Sequence, residues 1–196
     1  MTDLSRGRAS GRNFLRSALS GTMMLLVSLS VIAVGAAAAP PSEYDVKAAF
    51  IYNFAKYVEW PAGTRHDKTR SFVVGVLGTD PFGRSLDRAL AGQKIEDRSV
   101  VVRRFKRIEE VSDCQILFIA TSERAKLPHI LEHLGTRPVL TIGEYDGFAA
   151  RGGMINLTTE QRRVRFTINV FATKRAGLKP AAQLLRLARI VEGGAR

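Results

Sequence analysis

Apolar residues along the chain come in short blocks set between polar turns. "SFVVGVLG" (71–78), "SVVVRRF" (99–105), "CQILFIA" (114–120) and "RPVLTIG" (137–143) each predict a strand. The third is almost wholly apolar, as a strand covered on both faces should be. Two stretches with helical spacing fall between them, "TDPFGRSLDRALAG" (79–92) and "SERAKLPHILEHLG" (122–135). Asp80 is a good cap for the first, with Pro81 in its first turn. Pro128 delays the regular part of the second, and Gly135 closes it. Strand and helix alternate, so an α/β fold is expected, with a largely parallel sheet and helices on both faces.

Beyond Gly143 the rhythm changes. "GGMINLT" (152–158) and "RVRFTINV" (163–170) alternate with period two around the polar "TEQR", which predicts a β-hairpin. Val164, Phe166, Ile168 and Val170 then face one side, and Arg163, Arg165, Thr167 and Asn169 the other. In "GLKPAAQLLRLARIVEG" the residues Leu184, Leu185, Leu187, Ala188 and Val191 trace an apolar stripe, so the chain is expected to end in an amphipathic helix. No repeat or internal linker interrupts residues 39–196, which read as a single domain.

The first 38 residues read differently. Arg6, Arg8, Arg12 and Arg16 precede a short apolar run, Met23–Val34, and then the small residues of "GAAAAP". That order predicts a secretory signal peptide, cut after Ala38. Gly11 stands where a twin-arginine signal has its first arginine, so the general secretion route is favoured; an uncleaved anchor is the alternative. Export predicts a periplasmic protein. Residues 1–38 carry four arginines and one aspartate, so their removal lowers the formal charge from +12 to +9.

The remaining charge is uneven. From Gln161 to Arg189 there are eight lysines or arginines and no acid, and "RRFKR" (103–107) adds a second cluster. Outside the cytosol such a balance does not mean nucleic acid; acidic protein surfaces, anionic envelope polymers and lipid headgroups remain, as does a merely solvated face. Cys114 is the only cysteine, so no internal disulfide can form, and its place in "CQILFIA" suits a small core residue.

Little in the chain suggests catalysis. His129 and His133 are four apart, but "HILEH" is not HExxH and no other ligand cluster supports a metal. Ser122 has no recognisable base and sits in no nucleophile elbow. Glu144 and Asp146 in "GEYDGFA" read as a turn. No cofactor and no enzymatic activity are expected. The loop after the first strand, with Gly78, Thr79, Asp80 and Gly83, and the loop with Ser122 and Glu123 are the best polar candidates for a small ligand. Both follow strands, where open α/β sheets gather their ligands.

The stretch "VKAAFIYNFAKYVEWP" packs five aromatic rings into residues 46–61. Ser42 and Asp45 predict its helix start, and Pro61 its stop near Glu59. Its apolar residues cover more of the circumference than one sheet face needs. Tyr52, Tyr57 and Trp60 carry polar handles suited to a half-buried rim that contacts a partner. Arg163 and Arg165 are the charged candidates for the same role.

Taken in order, this string, "VGVLGTDPFG", "VVRRF", "CQILFIATSE", "VLTIGEYDGFAARGGMINL", "RVRFTINV" and "GLKPAAQLLRLARIV" resemble the YfiR-like family of periplasmic proteins. The resemblance implies an α/β domain, often dimeric, that represses an inner-membrane diguanylate cyclase by binding its periplasmic sensor domain. It also implies release by envelope stress or by capture on an outer-membrane lipoprotein. Some relatives use cysteine pairs for redox control, which a chain with Cys114 alone does not have. A receptor for a small periplasmic ligand, such as an amino acid, nucleotide or cell-wall fragment, is the alternative.

Overall fold

The computed structural model describes residues 40–62 and 71–191. The leader expected over 1–38 lies outside them, as does the end of the predicted C-terminal helix beyond Val191. Helix α1 (Glu43–Tyr57) opens with a capping box: the Ser42 hydroxyl accepts from the Asp45 N–H, and the Asp45 carboxylate accepts from the Ser42 N–H. It stops two residues short of the expected end, because Val58 is extended and Val58–Glu59 form a short strand, β1.

The sheet elements follow the apolar blocks. In chain order they are β2 (Phe72–Leu77), α2 (Arg84–Leu90), β3 (Lys94–Ile95), β4 (Arg98–Phe105), β5 (Ile116–Ile119), α3 (Leu127–Leu134) and β6 (Leu140–Gly143). A 3₁₀ turn over Thr121–Lys126 precedes α3, consistent with Pro128 standing at the start of the regular helix. Strands β7 (Ile155–Glu160) and β8 (Arg163–Asn169) pair antiparallel around Gln161 and Arg162, both at positive φ. The order across the sheet among the described residues is β8-β7-β6-β5-β2-β4-β3, with a last strand, Arg189–Val191, outside β8, and five of the seven pairings are parallel.

Alternation along the strands feeds two cores. Val74, Val76, Ile116, Phe118, Leu140 and Ile142 face the cluster that holds Ile51 and Phe54 of α1 and Leu86 of α2. Val73, Leu77, Leu117 and Ile119 face the cluster that holds Leu127, Ile130 and Leu134 of α3. The sheet is therefore covered on both faces. Each fully buried Phe or Leu contributes about 2 kcal/mol of the folding drive.

The C-terminal prediction needs correcting. After β8 the chain makes a short helix α4 (Val170–Arg175), a two-residue strand β9 (Lys179–Pro180) paired with β1, and α5 (Ala182–Leu187). It then extends as β10 (Arg189–Val191), parallel to β8. The apolar stripe is split: Leu184 is buried against α1, whereas Leu187 is 73% exposed. Ala188 turns extended because Arg189, Ile190 and Val191 can complete the open edge of β8, a gain that helical spacing does not reveal.

Candidate functional site

The chain runs from β2 to β4 on one side, then crosses to β5 on the other side of β2 before moving on to β6 and β7. The carboxyl ends of β2 and β5 thus flank the point where open α/β sheets form their crevice. Gly78, Thr79, Asp80 and Gly83 follow β2; Ser122 and Glu123 follow β5. The structure brings these loops together. Gly78 has φ +91, and a Cβ there would stand 2.5 Å from the Ser122 hydroxyl oxygen. The Thr79 N–H donates to that same oxygen at 3.0 Å.

The polar groups of this crevice are already engaged. One Asp80 oxygen accepts from the Phe82 N–H at 2.7 Å, and the other from Arg104 Nε at 2.7 Å. Arg104 also holds Asp87 through both carboxylate oxygens, which lowers the Asp87 pKa. Glu123 is buried and accepts from Lys126 at 2.9 Å. Gly83 faces open space, but its helix is only seven residues long. Apolar rings close the gap: Phe82 packs edge-on to Phe118 at 4.8 Å, and Tyr44 of α1 edge-on to Phe82 at 5.5 Å.

Beside this plug lies a charge cluster that inspection of the sequence missed. Lys47 on α1 donates to Glu144, just past β6, at 2.7 Å and pairs with Glu43 at 2.6 Å. Its ammonium also lies over the Tyr44 ring, 4.9 Å from the centroid, while the Tyr44 hydroxyl donates weakly to Glu144 at 3.4 Å. Burial pushes the Lys47 pKa down, yet the hydrogen bonds it donates to Glu144 and Glu43 outweigh this and leave the value raised. The hydrogen bond from Lys47, then that from Thr159, holds Glu43 below its usual value. Burial, then the nearby Glu144 charge, raises Tyr44. A lysine interrupting an apolar stripe, with "GEYDG" following a buried strand, was the only signal available.

The expected aromatic rim is only partly a rim. Tyr52 is half-buried, with Lys56 5.5 Å from its ring centroid, and Tyr57 is 36% exposed. Trp60 is 4% exposed, packed edge-on to Phe72 at 5.3 Å; it belongs to the core, and its indole N–H has no hydrogen-bond partner among the described residues. The strap 177–181 accounts for this: β9 pairs with β1, and the Ala181 N–H donates to the Tyr57 carbonyl, so the end of α1 is tied down.

Nor do the arginine candidates join the tyrosines. Val164, Phe166 and Ile168 of β8 face α1, with Phe166 5.2 Å from Phe54 and 5.6 Å from Phe50. Arg163 and Arg165 alternate with them and so project from the other face. The α1-bearing side also carries exposed Leu187 on α5 and exposed Ile190, which is in register with buried Ile168. His129 and His133 are exposed, with Glu109 3.7 Å from His129, and no metal-ligand cluster of three occurs among the described residues. No helix among them is long and apolar enough to cross a membrane.

A family model described as YfiR/HmsC-like matches residues 44–189. The chain belongs to the YfiR/HmsC-like family. The match begins within α1 at Tyr44 and ends at Arg189, so this YfiR/HmsC-like region takes in the plugged crevice, the Lys47–Glu144 pair and the basic hairpin. No curated protein matches the chain.

Proposed function

We propose that the protein is an exported, non-enzymatic regulator that binds the periplasmic domain of a membrane diguanylate cyclase and holds it in its inactive form. The family match over residues 44–189 is the observation that carries this reading. The internally paired polar groups of the strand-end crevice agree with it, since they leave few donors free for a substrate. Repression then rests on differential affinity for the cyclase's inactive conformation. Tyr52 and Tyr57, with exposed Leu187 and Ile190 on the same side of the sheet, form the partner contact. An outer-membrane lipoprotein competing for that contact would lift repression, and a homodimer would use part of it.

Deletion of the gene should raise cellular cyclic di-GMP and biofilm in a strain carrying the partner cyclase. The cyclase's periplasmic segment should capture the protein, and Tyr57→Ala with Leu187→Asp should weaken capture at least tenfold. Unchanged cyclic di-GMP together with no capture overturns the reading.

A second reading, a receptor for a small ligand, draws on the convergence of Gly78, Thr79, Asp80, Gly83, Ser122 and Glu123 at one crevice. It requires Tyr44 and Phe82 to move aside. A ligand at a hundredfold its dissociation constant would stabilise the fold by about 2.7 kcal/mol; a thermal-shift screen of amino acids, nucleotides and cell-wall fragments tests this.

A further inference from the structure

The face of the sheet opposite α1 ends, at β7, β8 and β10, in a largely polar surface, on which partly buried Val191, in register with Asn169, is the apolar side chain among the described strand residues. Thr158 and Glu160 of β7, Arg163, Arg165 and Thr167 of β8, and Arg189 of β10 all project from it, as strand alternation and register require. Thr158 lies directly across from Arg165, Glu160 from Arg163, and Thr167 from Arg189. The one carboxylate among these described strand residues is already taken: both Glu160 oxygens accept from Arg189, at 2.7 and 2.8 Å. Arg163 and Arg165 are exposed, and their guanidinium groups form no ion pair or hydrogen bond among the described residues. Two free guanidinium groups thus leave one strand about 6.8 Å apart, two residues of strand rise, beside threonine hydroxyls.

We propose that this face binds a linear anionic polysaccharide, with Arg163 and Arg165 gripping successive carboxylate or sulfate groups and Thr158 and Thr167 hydrogen-bonding sugar hydroxyls. Arginine suits the task because its planar fork matches such oxyanions bidentately. An acidic protein is the poorer fit. Protein interfaces concentrate their energy in buried aromatic and large apolar anchors, and the described strands offer only partly buried Val191 on this face. A polymer that repeats one charge needs only an ordered row of cations and hydroxyls. A second copy of the chain is disfavoured by like charge, since Arg162, Arg163, Arg165 and Arg189 would meet their own counterparts. The surface lies across the sheet from Tyr52 and Tyr57, so polymer and protein partner can be held together.

The test uses the purified protein with polygalacturonate as probe, and poly-L-glutamate and dextran as comparators. Polygalacturonate should bind and dextran should not, with affinity falling as salt rises. Arg163→Ala with Arg165→Ala should weaken binding at least tenfold, whereas Arg84→Ala with Lys94→Ala, on α2 and β3, should change it less than twofold. Arg163→Lys with Arg165→Lys should fall between, since charge is kept and the fork is lost. Both arginines are exposed, so unchanged thermal melting will establish that the variants fold. Equal losses in the two alanine pairs would reduce the effect to net charge and overturn the proposal. Tighter binding of poly-L-glutamate through the same arginines would give the face to an acidic protein instead, and no binding of polygalacturonate would end it. Capture by the cyclase segment is read separately and should survive Arg163→Ala with Arg165→Ala, so either reading can fail alone.

Discussion

Lys47 and Glu144 stand 97 residues apart and meet at 2.7 Å, with only 6% and 9% of their side chains exposed. The pair fastens the first helix to the loop leaving β6, next to the plugged crevice. Removing one member of a buried pair and leaving the other's charge without a counterion costs about 3–5 kcal/mol. Lys47→Met, which strips Glu144 of its partner, should lower stability by that order in urea unfolding, and Glu144→Gln by less, because Lys47 keeps Glu43 at 2.6 Å. Lys47→Met with Glu144→Leu should cost less than the sum of the two single changes. Additive losses would mean that the two residues act independently.

Phe148 sits between two glycines. A Cβ on Gly143 would stand 2.5 Å from a Phe148 ring carbon, and one on Gly153 would collide with the same ring. Neither position needs a special backbone angle; each needs the room. Gly143→Ala and Gly153→Ala should each destabilise the fold by about 1–3 kcal/mol through overpacking. Phe148→Leu should recover part of that loss in the double variants, as shown by denaturation midpoints. No recovery would place the strain elsewhere.

Much of the fold can be read in advance because its signals are local. β2, β5 and β6 are apolar runs, Ser42 with Asp45 marks a helix start, and Asn169 ends β8 as its alternation predicts, while its side chain also caps α4 at Ala172. The failures are tertiary. Trp60 looks like a rim residue until residues 177–181 are laid over the end of α1, and Leu187 looks like core until Ala188 extends into β10. The candidate site divides in the same way. That Gly78 and Ser122 meet follows from both loops trailing parallel strands. That Arg163 and Tyr57 do not meet depends on which face of β8 receives α1, and alternation alone does not say.

Cys114 should be inert in the native protein. Burial, above all, pushes its thiol pKa up to about 12, and its sulfur lies 2.7 Å from the Ile116 carbonyl oxygen. The thiolate is the reactive species, so it is essentially absent at pH 8. A colourimetric disulfide reagent should leave the native protein unlabelled for hours and titrate one thiol in denaturant. Rapid native labelling would mean that the segment entering β5 opens far more readily than its packing suggests.

Acid should weaken the fold in a defined window. Asp45 is held well below the usual carboxylate range by hydrogen bonds from Ser85, then Ser42, and Glu43 and Asp87 are lowered by Lys47 and Arg104. A carboxyl whose folded pKa is depressed stabilises the protein above its unfolded value and loses that contribution as pH falls through the folded one. Melting temperature should therefore stay nearly level from pH 7 to about 5 and fall steadily below about pH 4, where unfolded carboxylates begin to protonate. Lys47 acts in the opposite sense: while its carboxylate partners are ionised, its raised value keeps its contribution up to about pH 10 and removes it in strong alkali. Asp45→Asn should start lower and show a shallower acid slope, because the charge-dependent half of the capping box and the Arg88 contact at 2.9 Å are lost together. A slope unchanged from wild type would shift the acid sensitivity to Glu43 and Asp87, and Asp87→Asn, which releases only the Arg104 side of the network, would then carry the larger change.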